Sequence, residues 1–326
     1  MAETEAGPES MDVAPTSPAA PREDEPRSAA SATPKDTRDR AAMTPEPRVT
    51  LTTERLEVLG QSRSYVLAAP ANYLPKNRYP LVLVLHGDGG DGPSMRAAFP
   101  FDAVSAESAF VAYPTGTEGW DLYSPLANNV DQAFIVAIVE SLGTRFSVDL
   151  ARVFGTGFSS GAFMVSQLAC RLPTLFRAIA PQAGGAPDEP IDATATKWEN
   201  NYTRCAKQTH ETGPAVMVVH GTSDPVVTLE SGDFSARYWA YINNCATSRS
   251  PAARPATCMR HDACPADRPV IFCPVEDLDH SLWREAAQSV WLFFRQLCPR
   301  CARSLSLDTA MLDVQVRHPA EVVNGR

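Results

Sequence analysis

No run of about 18 apolar residues occurs in the 326-residue chain, so nothing in it reads as a membrane-crossing helix. Basic charge is scarce. Twenty-nine Lys and Arg stand against 38 Asp and Glu, and a net charge of −9 argues against nucleic acid or an anionic membrane as the main partner. The basic n-region and apolar h-region of a secretion signal are missing too, since the chain opens Met1-Ala2-Glu3-Thr4-Glu5. No internal repeat is apparent. Zinc-type spacing is also lacking: Cys298-Pro299-Arg300-Cys301 is a lone C-x-x-C at a helix end, with no second pair to match, and no metal site is expected. Residues 1–48 have almost no large apolar side chains. Their Pro, Ala, Ser, Thr and charge cannot bury enough surface to offset chain entropy, which predicts a disordered tail. Residues 301–326 read as a peripheral C-terminal tail, which leaves 49–300 as the folded domain.

Cysteine, by contrast, is plentiful. There are eight, seven of them after residue 200, and the even count and clustering predict disulfides and an oxidising compartment, extracellular or periplasmic. That expectation stands in tension with the missing signal. Cys170 reads equally well as a buried free thiol. At least two bridges are expected among Cys245, Cys258, Cys264 and Cys273, with all three pairings open.

Apolar patterning gives strands at 49–51, 58–67, 81–85, 110–113, 178–180, 215–219 and 270–272, with a further strand leading into residue 157. Between them helical spacing appears around 95–106, 130–146, 163–172, 231–243 and 284–297. Residues 186–213 and 243–269 show no clear period. The run Leu81-Val82-Leu83-Val84-Leu85 is apolar throughout, as in a strand buried on both faces. Strands alternating with helices predict an α/β fold, a doubly wound, mostly parallel sheet with helices on both faces. Ligand sites in such sheets lie beyond the carboxyl ends of the strands.

One stretch organises the rest. Val153-Phe154-Gly155-Thr156-Gly157-Phe158-Ser159-Ser160-Gly161 runs from a β-prone segment through G-x-S-x-G into a helix, the strand–turn–helix setting of a nucleophile elbow. A serine hydroxyl needs a base to take its proton, and the base needs an acid to orient it. Downstream the chain offers Asp224, in His220-Gly221-Thr222-Ser223-Asp224-Pro225 past a buried strand. It also offers His280, in the loop before the last helix. His86 and His220 each end a strand in a His-Gly pair, where an imidazole anchors loops. Gly87-Asp88-Gly89-Gly90-Asp91-Gly92 matches G-x-G-x-x-G, but its two aspartates would face a pyrophosphate and Pro93 follows at once, so no dinucleotide is expected. The loop is better placed to supply an oxyanion donor: the backbone N–H of Asp88 and that of Ser160 would hold the developing charge. Trp120 follows a strand end and either lines the substrate pocket or packs on the surface.

Leu85-His86-Gly87, Tyr113-Pro114-Thr115-Gly116, the lead from Val148 to Val153, and Ala180-Pro181-Gln182-Ala183-Gly184 together resemble the secreted polyhydroxybutyrate depolymerase and feruloyl/acetyl-xylan esterase family. So does the stretch from Cys264 to Cys273 with His280 close behind, and the resemblance spans roughly residues 50–298. It implies an α/β-hydrolase fold, ester hydrolysis by Ser159, Asp224 and His280, and no cofactor. The implied substrate is an ester-bearing polysaccharide with feruloyl or acetyl groups, or alternatively a hydroxyalkanoate polyester. A third reading, of another class, is an inactive domain that binds polysaccharide or polymer through exposed aromatics. The chain departs from the family in Leu278-Asp279-His280-Ser281-Leu282-Trp283, where Gly-Gly-His is usual, and in the missing signal. Oligomeric state is not written in the sequence.

Overall fold

The computed structural model describes residues 48–117, 119–187 and 213–297. The expected tails lie almost wholly outside the described residues, as do Cys205, Cys298 and Cys301. The strands are β1 (Val49–Val58), β2 (Gln61–Pro70), β3 (Tyr79–Leu85), β4 (Phe110–Pro114), β5 (Val148–Phe158), β6 (Ala178–Gln182), β7 (Ala215–Gly221), β8 (Arg249–Pro251), β9 (Met259–His261) and β10 (Val270–Val275). The helices are α1 (Gly92–Ala98), α2 (Phe101–Ser105), α3 (Val130–Arg145), α4 (Ser160–Arg171), α5 (Leu229–Ile242) and α6 (Ala286–Gln296).

The strands form one sheet in the order β1-β2-β4-β3-β5-β6-β7-β10-β9-β8. Its centre, from β4 to β10, is parallel. Both margins are antiparallel: β1 and β2 on one side, β9 and β8 on the other. Every residue of β3 is buried, as its unbroken apolar run requires. Alternate side chains serve the two faces. Leu81, Leu83 and Leu85 join the core under α3, α4 and α5, while Val82 and Val84 join the core under α1, α2 and α6.

Three details differ from the sequence reading. The strands expected at 49–51 and 58–67 are a long hairpin that turns at Leu59 and Gly60, both with positive φ (47° and 79°). An apolar Leu in a left-handed position disguised the turn, and the polar outer face of β1 hid the strand between. The helix expected at 95–106 breaks at Phe99-Pro100, because proline cannot continue the hydrogen-bond ladder. Within 243–269 the short strands β8 and β9 extend the sheet without the length that periodicity needs. The central parallel strands all finish at one edge, and the residues singled out above lie there.

Candidate active site

The elbow forms where β5 meets α4. Ser159 has φ 54° and ψ −123°, a strained conformation for a residue with a side chain. Close packing holds it there. A Cβ at Gly157 would overlap the Gly161 carbonyl, and one at Gly161 would overlap the carbonyls of Leu85 and His86, so only glycine lets α4 start this near β3 and β5. The Ser159 N–H donates to Gln182 O at 3.0 Å, which ties the turn to β6.

Asp224 follows β7 in a tight turn. Its Oδ1 accepts from the N–H groups of Val226 and Val227, both at 2.9 Å. Its Oδ2 lies 2.8 Å from His280 Nδ1, and His280 Nε2 lies 3.0 Å from Ser159 Oγ. A carboxylate only accepts, so Nδ1 carries the proton, and Nε2 is the acceptor for the serine hydroxyl. The loops bearing Asp224 and His280 are stitched together: Thr222 N–H donates to Val275 O (2.9 Å), Ser223 N–H to Leu278 O (3.0 Å) and Asp277 N–H to Thr222 Oγ1 (3.0 Å). The ring of Phe158 packs 4.9 Å from the His280 ring and limits its swing.

The third element is the corner after β3. Gly87 lies against the elbow, close enough that a Cβ there would sit 3.2 Å from Ser159 Cβ. Among the described residues no acceptor takes the N–H of Asp88 or of Ser160. His86 fixes the corner: its Nδ1 donates to Gly87 O (2.7 Å) and its Nε2 accepts from Gly116 N–H (2.8 Å). Gly87 O also accepts from Gly90 N–H at 3.1 Å. Gly87 C=O and Asp88 N–H belong to one planar trans peptide and point in opposite directions. Bonds to the carbonyl therefore aim the Asp88 N–H.

Trp120 is buried at 8% exposure, with its indole N–H on His86 O at 2.8 Å and its ring 4.8 Å from the His86 imidazole. The ring braces the corner, and the idea that it packs as a surface tryptophan is corrected. Behind it, Arg63 Nη2 donates to Thr115 O (2.9 Å) and to Asp131 Oδ1 (2.5 Å), and Asp131 Oδ2 accepts from Asp121 N–H (2.7 Å). This buried pair holds both ends of the loop that carries Trp120. Nothing local in the sequence links Arg63 to Asp131. Phe158 was legible only as the variable residue of G-x-S-x-G.

Burial lowers the pKa of His86, against the Gly87 carbonyl and the nearby carboxylates of Asp91, Asp131 and Asp88, which raise it. Neutral His86 can keep one donor and one acceptor nitrogen, as its two bonds require. Two disulfides, Cys245–Cys264 and Cys258–Cys273, use all four expected cysteines, and the second anchors β10, the strand that leads to His280. Cys170 is disulfide-bonded rather than free. Among the described residues no cluster of three His, Cys, Asp or Glu side chains could hold a metal ion.

No family model matches the chain. It is 30% identical over 225 residues to feruloyl esterase C of Emericella nidulans, an alignment covering 64% of this chain and 73% of that protein. It is 27% identical over 206 residues to an acetylxylan esterase of Coprinopsis cinerea, covering 54% of this chain and 55% of that protein. Acetyl xylan esterase from Aspergillus awamori shares its fold with a TM-score of 0.62 at 16% identity, over 74% of this chain and 99% of that one.

Proposed function

The chain belongs to the feruloyl and acetyl-xylan esterase family of the α/β-hydrolase superfamily, a family of carboxylic ester hydrolases, and we propose that it removes feruloyl or acetyl groups from plant polysaccharide through Ser159, His280 and Asp224. The observation that carries this reading is His280. Its two ring nitrogens join Ser159 and Asp224, which lie 121 and 56 residues away from it in the chain.

In the proposed reaction Ser159 Oγ attacks the ester carbonyl carbon while His280 Nε2 takes the hydroxyl proton. Asp224 holds the ring orientation and stabilises the imidazolium without itself taking the proton. The carbonyl oxygen becomes an oxyanion facing the N–H groups of Asp88 and Ser160, each worth about 10²–10³ in rate. The tetrahedral centre collapses, the C–O bond to the alcohol breaks, and the departing oxygen takes the proton from His280. Water then repeats the sequence on the acyl-serine, giving the free acid and restoring the enzyme. The sharp turn at Ser159 also sets its Oγ at the first turn of α4, whose dipole favours developing negative charge. No helix among the described residues is long and apolar enough to cross a membrane. The disulfides suit an oxidising, extracellular working place.

The test is turnover of p-nitrophenyl acetate, methyl ferulate, acetylated xylan and polyhydroxybutyrate by the purified protein. Release of ferulate or acetate supports the reading. Turnover of the polyester alone would move the substrate to hydroxyalkanoates, and binding without turnover of any ester would leave an inactive binding domain.

A further inference from the structure

Asp224 has a neighbour that the proposed reaction leaves unused. His220, near the end of β7, has a side chain with 0% exposure. Its Nε2 lies 2.8 Å from Val227 O and 3.6 Å from Asp224 Oδ2. A carbonyl only accepts, so Nε2 carries the proton and Nδ1 is bare. Nδ1 has no hydrogen-bond partner and abuts Gly232 in the first turn of α5, where a Cβ would overlap it. The ring is therefore held in one tautomer and one place from both sides.

The consequence falls on Val227. Its N–H is taken by Asp224 Oδ1 and its C=O by His220 Nε2, so the turn that carries Asp224 closes through two bonds to one residue. We propose that His220 is a positioning residue for Asp224: by holding Val227 O it fixes the carboxylate orientation that leaves Oδ2 for His280 Nδ1. The inference rests on the reading of Ser159, His280 and Asp224 as the reacting set. Neutrality of the ring is part of the device. A proton on Nδ1 would be buried without an acceptor. Burial lowers the His220 pKa; the Val227 carbonyl and Asp224 oppose it, His280 lowers it further, and Glu230 raises it. With His220 neutral, the one cation that Asp224 faces in the reaction is the His280 imidazolium. At 3.6 Å the direct contact to Asp224 is longer than a hydrogen bond, so His220 acts through the turn.

The experiment compares wild type with His220→Met, His220→Gln and Gly232→Ala on p-nitrophenyl acetate, with melting temperatures and the low-field proton resonance of the His280 Nδ1–H measured on each. Methionine fills the space without a donor. Its kcat is expected to fall about 10- to 100-fold, the scale of an ångström's misplacement, with KM within about twofold. Glutamine can donate from near the position of Nε2 and should recover most of the rate and the resonance. Gly232→Ala keeps every atom of His220 but crowds Nδ1, and should reproduce the loss in kcat. Wild-type kcat and resonance in a folded methionine variant would overturn the proposal. So would equal losses in the methionine and glutamine variants that follow melting temperature, which would mark the ring as packing alone. Should the methionine variant not fold, unchanged kcat in Gly232→Ala overturns it equally. Retained activity in Ser159→Ala would instead sink the underlying reading, so the two failures are distinct.

Discussion

Strand β3 runs into His86-Gly87 and β7 ends in His220-Gly221, and both histidines are buried at 1% exposure, yet the two corners are wired differently. His86 uses both ring nitrogens, one on the neighbouring Gly87 carbonyl and one on Gly116 of the next loop. His220 uses only Nε2, on a carbonyl seven residues ahead, and leaves Nδ1 bare against Gly232. In the proposed reaction the first ring orients a backbone donor and the second orients a side-chain acceptor. In that reaction the oxyanion would meet an N–H with no rotamer of its own, so the peptide plane must be fixed, and that takes bonds on both sides of the corner. A carboxylate can rotate about its χ angles, so it is enough to close the turn around it. One dipeptide thus serves opposite signs of charge, and what differs is the loop that follows.

Replacing the serine between the corners has the largest expected effect. Ser159→Ala should lower ester hydrolysis by about 10⁴-fold or more, because the members of such a set act as a unit, while melting temperature stays near wild type. Fluorophosphonate labelling should vanish with it. Activity near wild type in the alanine variant would mean that neither corner serves Ser159.

His86→Leu comes next. Without the donor to Gly87 O the Asp88 peptide loses its fixed direction, and kcat should fall by about 10²-fold, the usual cost of one oxyanion donor. His86→Asn can place an amide N–H near the position of Nδ1 and should recover part of the rate. A leucine variant that folds and turns over normally would show that the Gly90 bond alone orients the peptide, and the contrast between the corners would collapse.

Much of this arrangement was legible from residue types. The elbow could be read because glycine spacing and a strand–helix change coincide at Ser159, and Asp224 and His280 could be singled out because they lie in the loops that follow strand ends. The role of the His-Gly pairs as anchors was visible for the same reason. What each ring bonds was not, since Gly116 and Val227 carry no side-chain signal: both contribute backbone atoms. The Arg63–Asp131 pair was hidden by 68 residues of separation, and its partners belong to different layers of the fold. Trp120 was legible as a loop residue but not as buried, because its burial depends on packing against the His86 ring. Strands β8 and β9 escaped because three residues carry no period.

Both corners also predict a common pH dependence of stability. The pKa values of His86 and His220 are lowered in the fold, chiefly by burial, from an ordinary value of 6.5. As pH falls below about 6.5 the unfolded chain takes up these protons first, so stability present at neutral pH is lost toward the lower folded pKa values. Each ring contributes a slope of at most about 1.4 kcal/mol per pH unit. Denaturant unfolding at pH 7 and pH 5.5 measures it, and His220→Met should remove one share of the slope. Equal stability at both pH values would show that the rings are protonated in place, which neither set of bonds allows.

The smallest effect sharpens the first corner most. Asp88 supplies a backbone N–H, and its own carboxylate is exposed, leaning toward Gly119, where a Cβ would sit 2.7 Å from its Oδ1. Backbone donation does not depend on the side chain, so Asp88→Asn should keep the oxyanion contact. It does remove a negative charge from the edge of a site in which negative charge develops. The sign is therefore a gain: kcat should rise by about twofold at low salt, with the gain shrinking as salt screens an exposed charge over roughly 10 Å at 0.1 M. Steady-state rates at 10 mM and 300 mM NaCl test both the direction and the screening. A loss of about 10-fold or more would mean that the Asp88 side chain, and not the His86 bond to Gly87 O, holds the donor peptide in place.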